Sequence, residues 1–427
     1  MAMSRISAAS AVFWALLIAP PAGLKAQAVK ATPEVFKQFS DQVVKIEVVE
    51  TGSAAKAAIG SGFFADPRGH VLTNYHVISK LIHFPDRYRA EVVDVSGRAS
   101  QATVLGIDVI YDLAVLGIDR PTKKYLRLEG RPVAQGTRLY SLGHPRDLGL
   151  TIVEGTYNGL LRHTLYPKVH FTGSLNPGMS GGPTLTESGT VIGVNVATEG
   201  EQISFLVPAE RAQALLAKSA GAQNSAPDFF LAEVGRQIRA NQARYLTGLF
   251  SPATPEIQLG PYAVPTKPAE FFRCWADAVR RKELPYAAVT HDCSTDDYIF
   301  VSSEQSSGIV RFYHQLLSTT ELNPAQFFTL YSGQFQSGNV ALFGNEEEVT
   351  PFRCQTRIVQ NQTGKLKAVL CARQYVKLPG LYDAVLKVAA LGARNAGLIS
   401  TLSLSGASFD NIQALSRRYL QRIKWHR

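Results

Sequence analysis

The chain has 427 residues, of which 45% are apolar and 18% charged, and its formal net charge is 44 − 34 = +10. At ~100–200 residues per domain this length implies two or three domains, and the composition is that of a globular protein with ample core material. The basic residues are spread along the chain with no run of five or six, so the concentrated basic stripe that nucleic-acid binding would want is excluded.

Residues 1–28 read as an export signal, with Arg5 as the positive region, an apolar stretch from Ala8 to Ile18, and Ala26-Gln27-Ala28 as a small-x-small cleavage site. The apolar stretch is too short to span a bilayer, and no later stretch reaches ~18 uninterrupted apolar residues. A mature chain of about +8, exported to the periplasm or beyond the cell and not inserted in a membrane, is the expectation.

A short helix is expected over Pro33–Ser40. From Val43 to about Val207 short β-rich runs follow one another: Val43–Val49, Ile59–Ala65, His70–Asn74, Ala102–Ile107, Leu113–Ile118, Arg138–Leu142, Val169–Phe171 and Thr190–Val196. Asp66-Pro67-Arg68-Gly69 between two of them is a strong turn signal. Many short strands without intervening helices predict an antiparallel barrel or sandwich. Pro208–Lys218 reads as a closing helix, and the small polar residues 219–226 as a linker.

Beyond the linker, residues 227–427 read as a separate α+β domain. Helical apolar spacing is found at Phe229–Phe250, Ala269–Arg281, Leu381–Leu391 and Phe409–Ile423, and strand-like runs at Tyr298–Ser302 and Gly308–Tyr313. Phe271, Phe272, Trp275, Tyr298 and Phe300 are expected in its core, with a ligand groove as the alternative. All four cysteines, Cys274, Cys293, Cys354 and Cys371, lie here, and an even number in an exported chain points to disulfides with three possible connectivities. Asn361-Gln362-Thr363-Gly364 reads as a hairpin turn; if Gln362 and Thr363 form a two-residue loop, facing residues sum to 725, as 354 and 371 do. That pair is then non-hydrogen-bonded, with Cα atoms ~4.5 Å apart and within disulfide reach. Cys274–Cys293 follows by elimination, while a zinc site lacks a C-x-x-C or a neighbouring His pair.

Three separated segments make chemical sense together. Thr73-Asn74-Tyr75-His76 ends a strand, Tyr111-Asp112-Leu113 opens another, and Asn176-Pro177-Gly178-Met179-Ser180-Gly181-Gly182 is a glycine-rich turn. Acyl transfer by a serine needs a base within reach, a carboxylate to fix the base's tautomer, and donors for the oxyanion. His76, Asp112 and Ser180 can fill the first roles, and the backbone of Gly178, Met179 and Ser180 the last. Gly178-x-Ser180-x-Gly182 also fits an α/β-hydrolase elbow, but Thr184–Val196 is strand-like where a helix should follow, and the candidate partners precede the serine.

With Gly60-Ser61-Gly62-Phe63, Leu72-Thr73-Asn74-Tyr75-His76-Val77, Asp112-Leu113-Ala114-Val115-Leu116, the Ser180 turn and Val191-Ile192-Gly193-Val194-Asn195, residues 33–218 resemble the high-temperature-requirement (HtrA/Deg) proteases of the trypsin-like superfamily. The resemblance implies an all-β, chymotrypsin-like double β-barrel over 29–218, with no cofactor, acting on polypeptides as an endopeptidase. By the same resemblance the S1 base lies near Ser174, where a neutral residue favours small or medium apolar P1 side chains, and Val194-Asn195-Val196 pairs with the substrate backbone. Three departures stand out: Met179 replaces the family's Asn, Thr172-Gly173 its Thr-Asp, and no PDZ pattern follows. The rival reading is a dormant protease fold used for binding or scaffolding.

Overall fold

Short strands with one apolar face are stable only when that face is closed over a core, and here they close on themselves twice. The computed structural model describes residues 32–426 apart from 131–132, 199, 201, 222–226, 338–341, 343 and 393. The export signal therefore lies outside the described residues, as does most of the expected linker, whose first residue, Ser219, closes a helix instead.

After helix α1 (Thr32–Phe39) come strands β1 (Val43–Glu50), β2 (Lys56–Phe64) and β3 (His70–Thr73), then helix α2 (Tyr75–His83). Strands β4 (Tyr88–Val93), β5 (Ala99–Asp108) and β6 (Leu113–Gly117) complete a closed barrel of order β1-β2-β3-β6-β5-β4. A two-residue strand, β7 (Arg127–Leu128), leads to β8 (Arg138–Gly143), β9 (Thr151–Leu160), β10 (Val169–Phe171), β11 (Pro183–Leu185), β12 (Thr190–Thr198) and β13 (Ser204–Pro208). These last six form a second ring, β11-β8-β9-β10-β13-β12, closed by the β11–β12 pairing. This is the chymotrypsin-like double barrel that the family resemblance implied, and it satisfies the antiparallel barrel expected from the strand pattern. Helices α3 (Ala209–Ser219) and α4 (Pro227–Tyr245) follow.

The remaining chain is α+β. Strands β14 (Glu256–Leu259), β15 (Tyr262–Pro265), β16 (Phe272–Val279), β17 (Ala287–Thr295), β18 (Ile299–Ser302), β19 (Gln305–Ser307) and β20 (Val310–Ser318) precede helix α5 (Pro324–Gln336). Then come β21 (Arg353–Gln360), β22 (Lys365–Gln374), β23 (Tyr382–Ala390), β24 (Ala396–Ala407) and helix α6 (Phe409–Gln421). Seven of these strands make one sheet, β16-β17-β20-β24-β23-β22-β21, and β18 and β19 form a hairpin of their own. The β21–β22 register pairs Cys354 with Cys371, so the hairpin sum of 725 holds; the disulfide forms with Cα atoms 4.0 Å apart, and Cys274–Cys293 forms the other.

Two expected helices are strands. Leu381–Leu391 is β23, flanked by β22 and β24 and buried along most of its length. Its Leu386 and Val388 pack in one cluster with Ile412 and Leu415 of α6, and Ala389 in another with Phe327 and Tyr331 of α5. A strand buried on both faces loses the period-2 signal, and its apolar run then reads as helical. Ala269–Arg281 contains β16, the edge strand, whose residues are mostly exposed and carry little pattern at all. The aromatic residues expected in the core divide: Phe272 is buried, whereas Trp275 and Tyr298 are exposed.

The first barrel's apolar core does not stop at the barrel: Val71, Tyr75 and Leu113 belong to one buried cluster with Phe230, Val234 and Ile238 of α4, Ile299 and Val301 of β18, and Leu378 and Leu381. The two regions share a core.

Candidate functional site

His76 is the second residue of α2, placed by the turn that follows β3. Its backbone N–H donates to Asp112 Oδ1 (2.8 Å), and its ring Nδ1 faces Asp112 Oδ2 at 2.6 Å. Asp112 sits at φ 55° in the turn entering β6, a left-handed conformation that non-glycine residues rarely hold. The turn is held by its own carbonyl, which accepts from Asn74 Nδ2 (2.8 Å) and from Tyr75 N–H (3.3 Å). Burial works against the charged imidazole, but the Asp112 carboxylate and its hydrogen bond outweigh it, so the His76 pKa lies above the ordinary 6.5. With the carboxylate on Nδ1, that nitrogen carries the proton and Nε2 is left as the base.

Ser180 lies in the turn between β10 and β11, and the first barrel grips that turn. Ser61 of β2 donates its N–H to Ser180 O (2.8 Å) and its hydroxyl to Gly178 O (2.7 Å), while accepting from His144 N–H (2.8 Å). Thr73 Oγ1 in turn donates to Ser61 O (2.7 Å). Next to the serine, a Cβ on Gly181 (φ 84°) would lie 2.2 Å from Ser61 O and 3.0 Å from Asn74 N, so only glycine lets the turn press against the residues that lead into His76. The structure thus brings the segments of His76, Asp112 and Ser180 together. The Ser180 hydroxyl makes no hydrogen bond to His76 among the described residues; such contacts are often long before substrate binds.

Of the expected oxyanion donors, Met179 N–H is committed to Asn176 O (3.0 Å), whereas the N–H groups of Gly178 and Ser180 have no acceptor among the described residues. The Met179 side chain is fully buried with Leu139, Tyr157, Phe171 and Leu175 in the second barrel's core, so apolar packing anchors the loop. At the Thr172-Gly173 departure, a Cβ on Gly173 would lie 2.3 Å from the Phe171 ring. That ring fills the space an aspartate would need. Thr172 instead ties the loop to β9 by accepting from Thr156 N–H (3.0 Å).

The expected substrate-binding residues separate. Ser174 is exposed. Val194 is interior, pairing with Pro183 on one side and Val207 on the other. Asn195 is fully buried: its amide oxygen accepts from Ser141 (2.9 Å) and Thr184 (2.6 Å), its amide nitrogen donates to Met179 O (3.1 Å), and its backbone N–H and carbonyl are bonded to Gly182 and Gly181. With backbone groups already paired, Val194 and Asn195 have none left to offer a substrate strand. Only Val196, at a bulge in the β12–β13 pairing, remains of the three.

Several residues outside the expected set help to build this site. Ser61 and Thr73 stand inside motifs already singled out, so that signal was available. Gln237 of α4 had none, and Phe300 of β18 stood out only as an aromatic of the second region, with nothing to tie it to His76. Gln237 accepts from Val109 N–H (2.8 Å) and donates to Ile107 O (2.9 Å), holding the approach to Asp112. Phe300 meets the His76 ring edge-on with centroids 5.8 Å apart. Behind it, Tyr75 Oη donates to Val301 O (2.9 Å) and lies 3.1 Å from His83 Nε2.

Residues 60–194 match the family model for a trypsin-like peptidase domain. The chain is 32% identical over 196 residues to Protease Do-like 5, chloroplastic, of Arabidopsis thaliana, covering 38% of this chain and 59% of that protein. It is 32% identical over 154 residues to a probable periplasmic serine endoprotease, DegP-like, of Chlamydia pneumoniae, covering 35% of this chain and 30% of that protein. Among solved structures, the serine endoprotease from Yersinia pestis is 26% identical with a TM-score of 0.39, over 45% of this chain and 68% of that one. The chain spans less than two thirds of the length of these curated relatives.

Proposed function

Because this chain carries a trypsin-like peptidase domain related to the HtrA/Deg serine proteases, we propose that it is a serine endopeptidase cutting unfolded or flexible exported polypeptides. The observation that carries the reading is the His76–Asp112 pair at 2.6 Å beside a nucleophile turn clamped by Ser61. In this mechanism His76 Nε2 takes the Ser180 hydroxyl proton as the oxygen attacks the peptide carbonyl. The oxyanion is received by the N–H groups of Gly178 and Ser180. The protonated imidazole, held by Asp112, then gives its proton to the leaving amine. Water, activated by the same base, releases the acyl group and restores Ser180. An apolar P1 residue of small or medium size above the neutral Ser174, and a substrate strand added beyond Asn195, complete the reading. No described helix is long and apolar enough to cross a membrane, and the proposed place of action is the periplasm or outside.

The test is cleavage of reduced casein by the full mature chain and by Ser180→Ala. The substitution is expected to lower the rate by several orders of magnitude, as loss of a triad nucleophile does. The rival, a dormant fold used for binding, draws on the missing Ser180–His76 hydrogen bond. It predicts a folded parent that cleaves no better than the variant and does not react with a fluorophosphonate probe.

A further inference from the structure

A five-residue stretch of the second region bridges both barrels. Asp297, almost fully buried, accepts from Leu165 N–H (2.8 Å) and Lys168 Nζ (2.9 Å) in the segment joining β9 to β10. Two residues later β18 lies on α2, the helix of His76: Ile299 and Val301 are buried in the first barrel's core, and Val301 O holds Tyr75. Side chains alternate along a strand. Ile299 and Val301 take the fully buried positions, while Phe300, on the alternate face, packs half-buried at the margin of the same core, edge-on to Tyr75 (centroids 6.3 Å), and Tyr298, just before the strand, shares its side. Phe300 is half-buried with its ring edge-on to His76, and Tyr298 is 60% exposed. An aromatic residue so exposed, with no core of its own to fill, stands one step from a ring that touches the base.

The scissile bond must lie against His76 Nε2, so a substrate side chain next to that bond passes the same ring. The geometry points to an apolar subsite, built by Phe300 with Tyr298 at its rim, that takes a large apolar or aromatic side chain adjacent to the scissile bond. The inference rests on the peptidase reading and adds a wall to the cleft that the barrels do not supply. Rings at this separation and tilt attract one another, so Phe300 also steadies the imidazole, but steadying alone would serve every substrate equally.

That difference is the test. Full-length parent, Phe300→Ala, Phe300→Leu, Tyr298→Ala and Ser180→Ala are compared on matched peptides carrying Phe, Leu or Gly at the positions flanking the cut. The parent is expected to favour Phe or Leu over Gly at one flanking position. Phe300→Ala should shrink that ratio about tenfold, within the range that apolar pocket contacts discriminate, and Phe300→Leu should keep most of it. An unchanged ratio, or an equal loss on all peptides, overturns the subsite. If Phe300→Ala does not fold, the exposed Tyr298→Ala decides: a narrowed ratio supports the subsite, and the parent ratio overturns it. A parent as inert as Ser180→Ala overturns the peptidase reading and the subsite together, whereas active cleavage with unmoved ratios overturns the subsite alone.

Discussion

The double barrel and the region after it carry their information differently. In the barrels each chemical group stands in a short run whose neighbours serve the same end: Thr73, Asn74 and Tyr75 precede His76, and all three help to hold the turn in which Asp112 sits or the loop of Ser180. In the second region nothing comparable is local. Gln237, Asp297 and Val301 act on barrel residues about 130 to 230 positions away, through one or two hydrogen bonds each and a shared core. The identity of the chemistry is therefore written in local motifs, while the rigidity that chemistry requires is assembled over long range. Substitutions in the two regions should accordingly fail in different ways.

The largest effect is expected inside the barrel. Asp112→Asn leaves the shape but removes the charge that fixes the His76 tautomer, and should lower kcat by about 10⁴-fold, the size such a change has in a triad. The base must be neutral to work, so the parent loses activity as pH falls through a His76 pKa above 6.5. Without the carboxylate only burial remains, and the acid limb of kcat/KM should move to lower pH. An acid limb that stays in place would show that Asp112 is not the group raising it.

At the junction of the two regions the effect is on stability. His83 is buried against Tyr75 with the Lys377 charge close by; burial first, and that charge second, push its pKa down to about 4. Above pH 6.5 the ring is neutral in folded and unfolded chains alike. Between 6.5 and 4 the unfolded chain takes up the proton first, so stability is lost across that window, by roughly 3 kcal/mol if the full shift acts. His144 and His314 are pulled down as well, to about 4 and about 3, so acid weakens both regions. Denaturant titrations at pH 7.5 and 4.5 separate them: His83→Gln should lose clearly less stability on acidification than the parent, and equal losses would place the acid response elsewhere.

How much of this was legible follows from the same contrast. The strand series, the triad candidates and the Cys354–Cys371 register could be read because turn chemistry, alternation and motif order act over a few residues. Strand β23 could not, because burial between two helices erased its alternation, and β16 could not, because an exposed edge imposes none. The resemblance alone puts Val194 and Asn195 at the substrate; only the pairing of β12 with β11 and β13 shows that their backbone groups are spent. Phe300, expected in the core of its own region, packs half-buried against the first barrel's core and edge-on to His76; which barrel residues β18 covers is set over long range, and no local pattern states that.

The smallest predicted effect is the most direct test of long-range support. Gln237 makes two hydrogen bonds to the approach to Asp112, at 2.8 and 2.9 Å, and each is worth about 1 kcal/mol net. Gln237→Ala should leave the fold intact and lower kcat by about tenfold through a looser Asp112, with KM unchanged, since positioning errors of this kind tax the chemical step. Gln237→Glu keeps an acceptor for Val109 N–H but no donor for Ile107 O, and should fall between the two. The turn has a local brace as well, Asp108 Oδ1 accepting from the N–H groups of Ile110 (3.1 Å) and Tyr111 (3.0 Å). If that brace and the Asn74 and Tyr75 bonds to the Asp112 carbonyl suffice to position it, Gln237→Ala will turn over at the parent rate while folded, and the second region's hold on the catalytic carboxylate is then one of packing and not of hydrogen bonds.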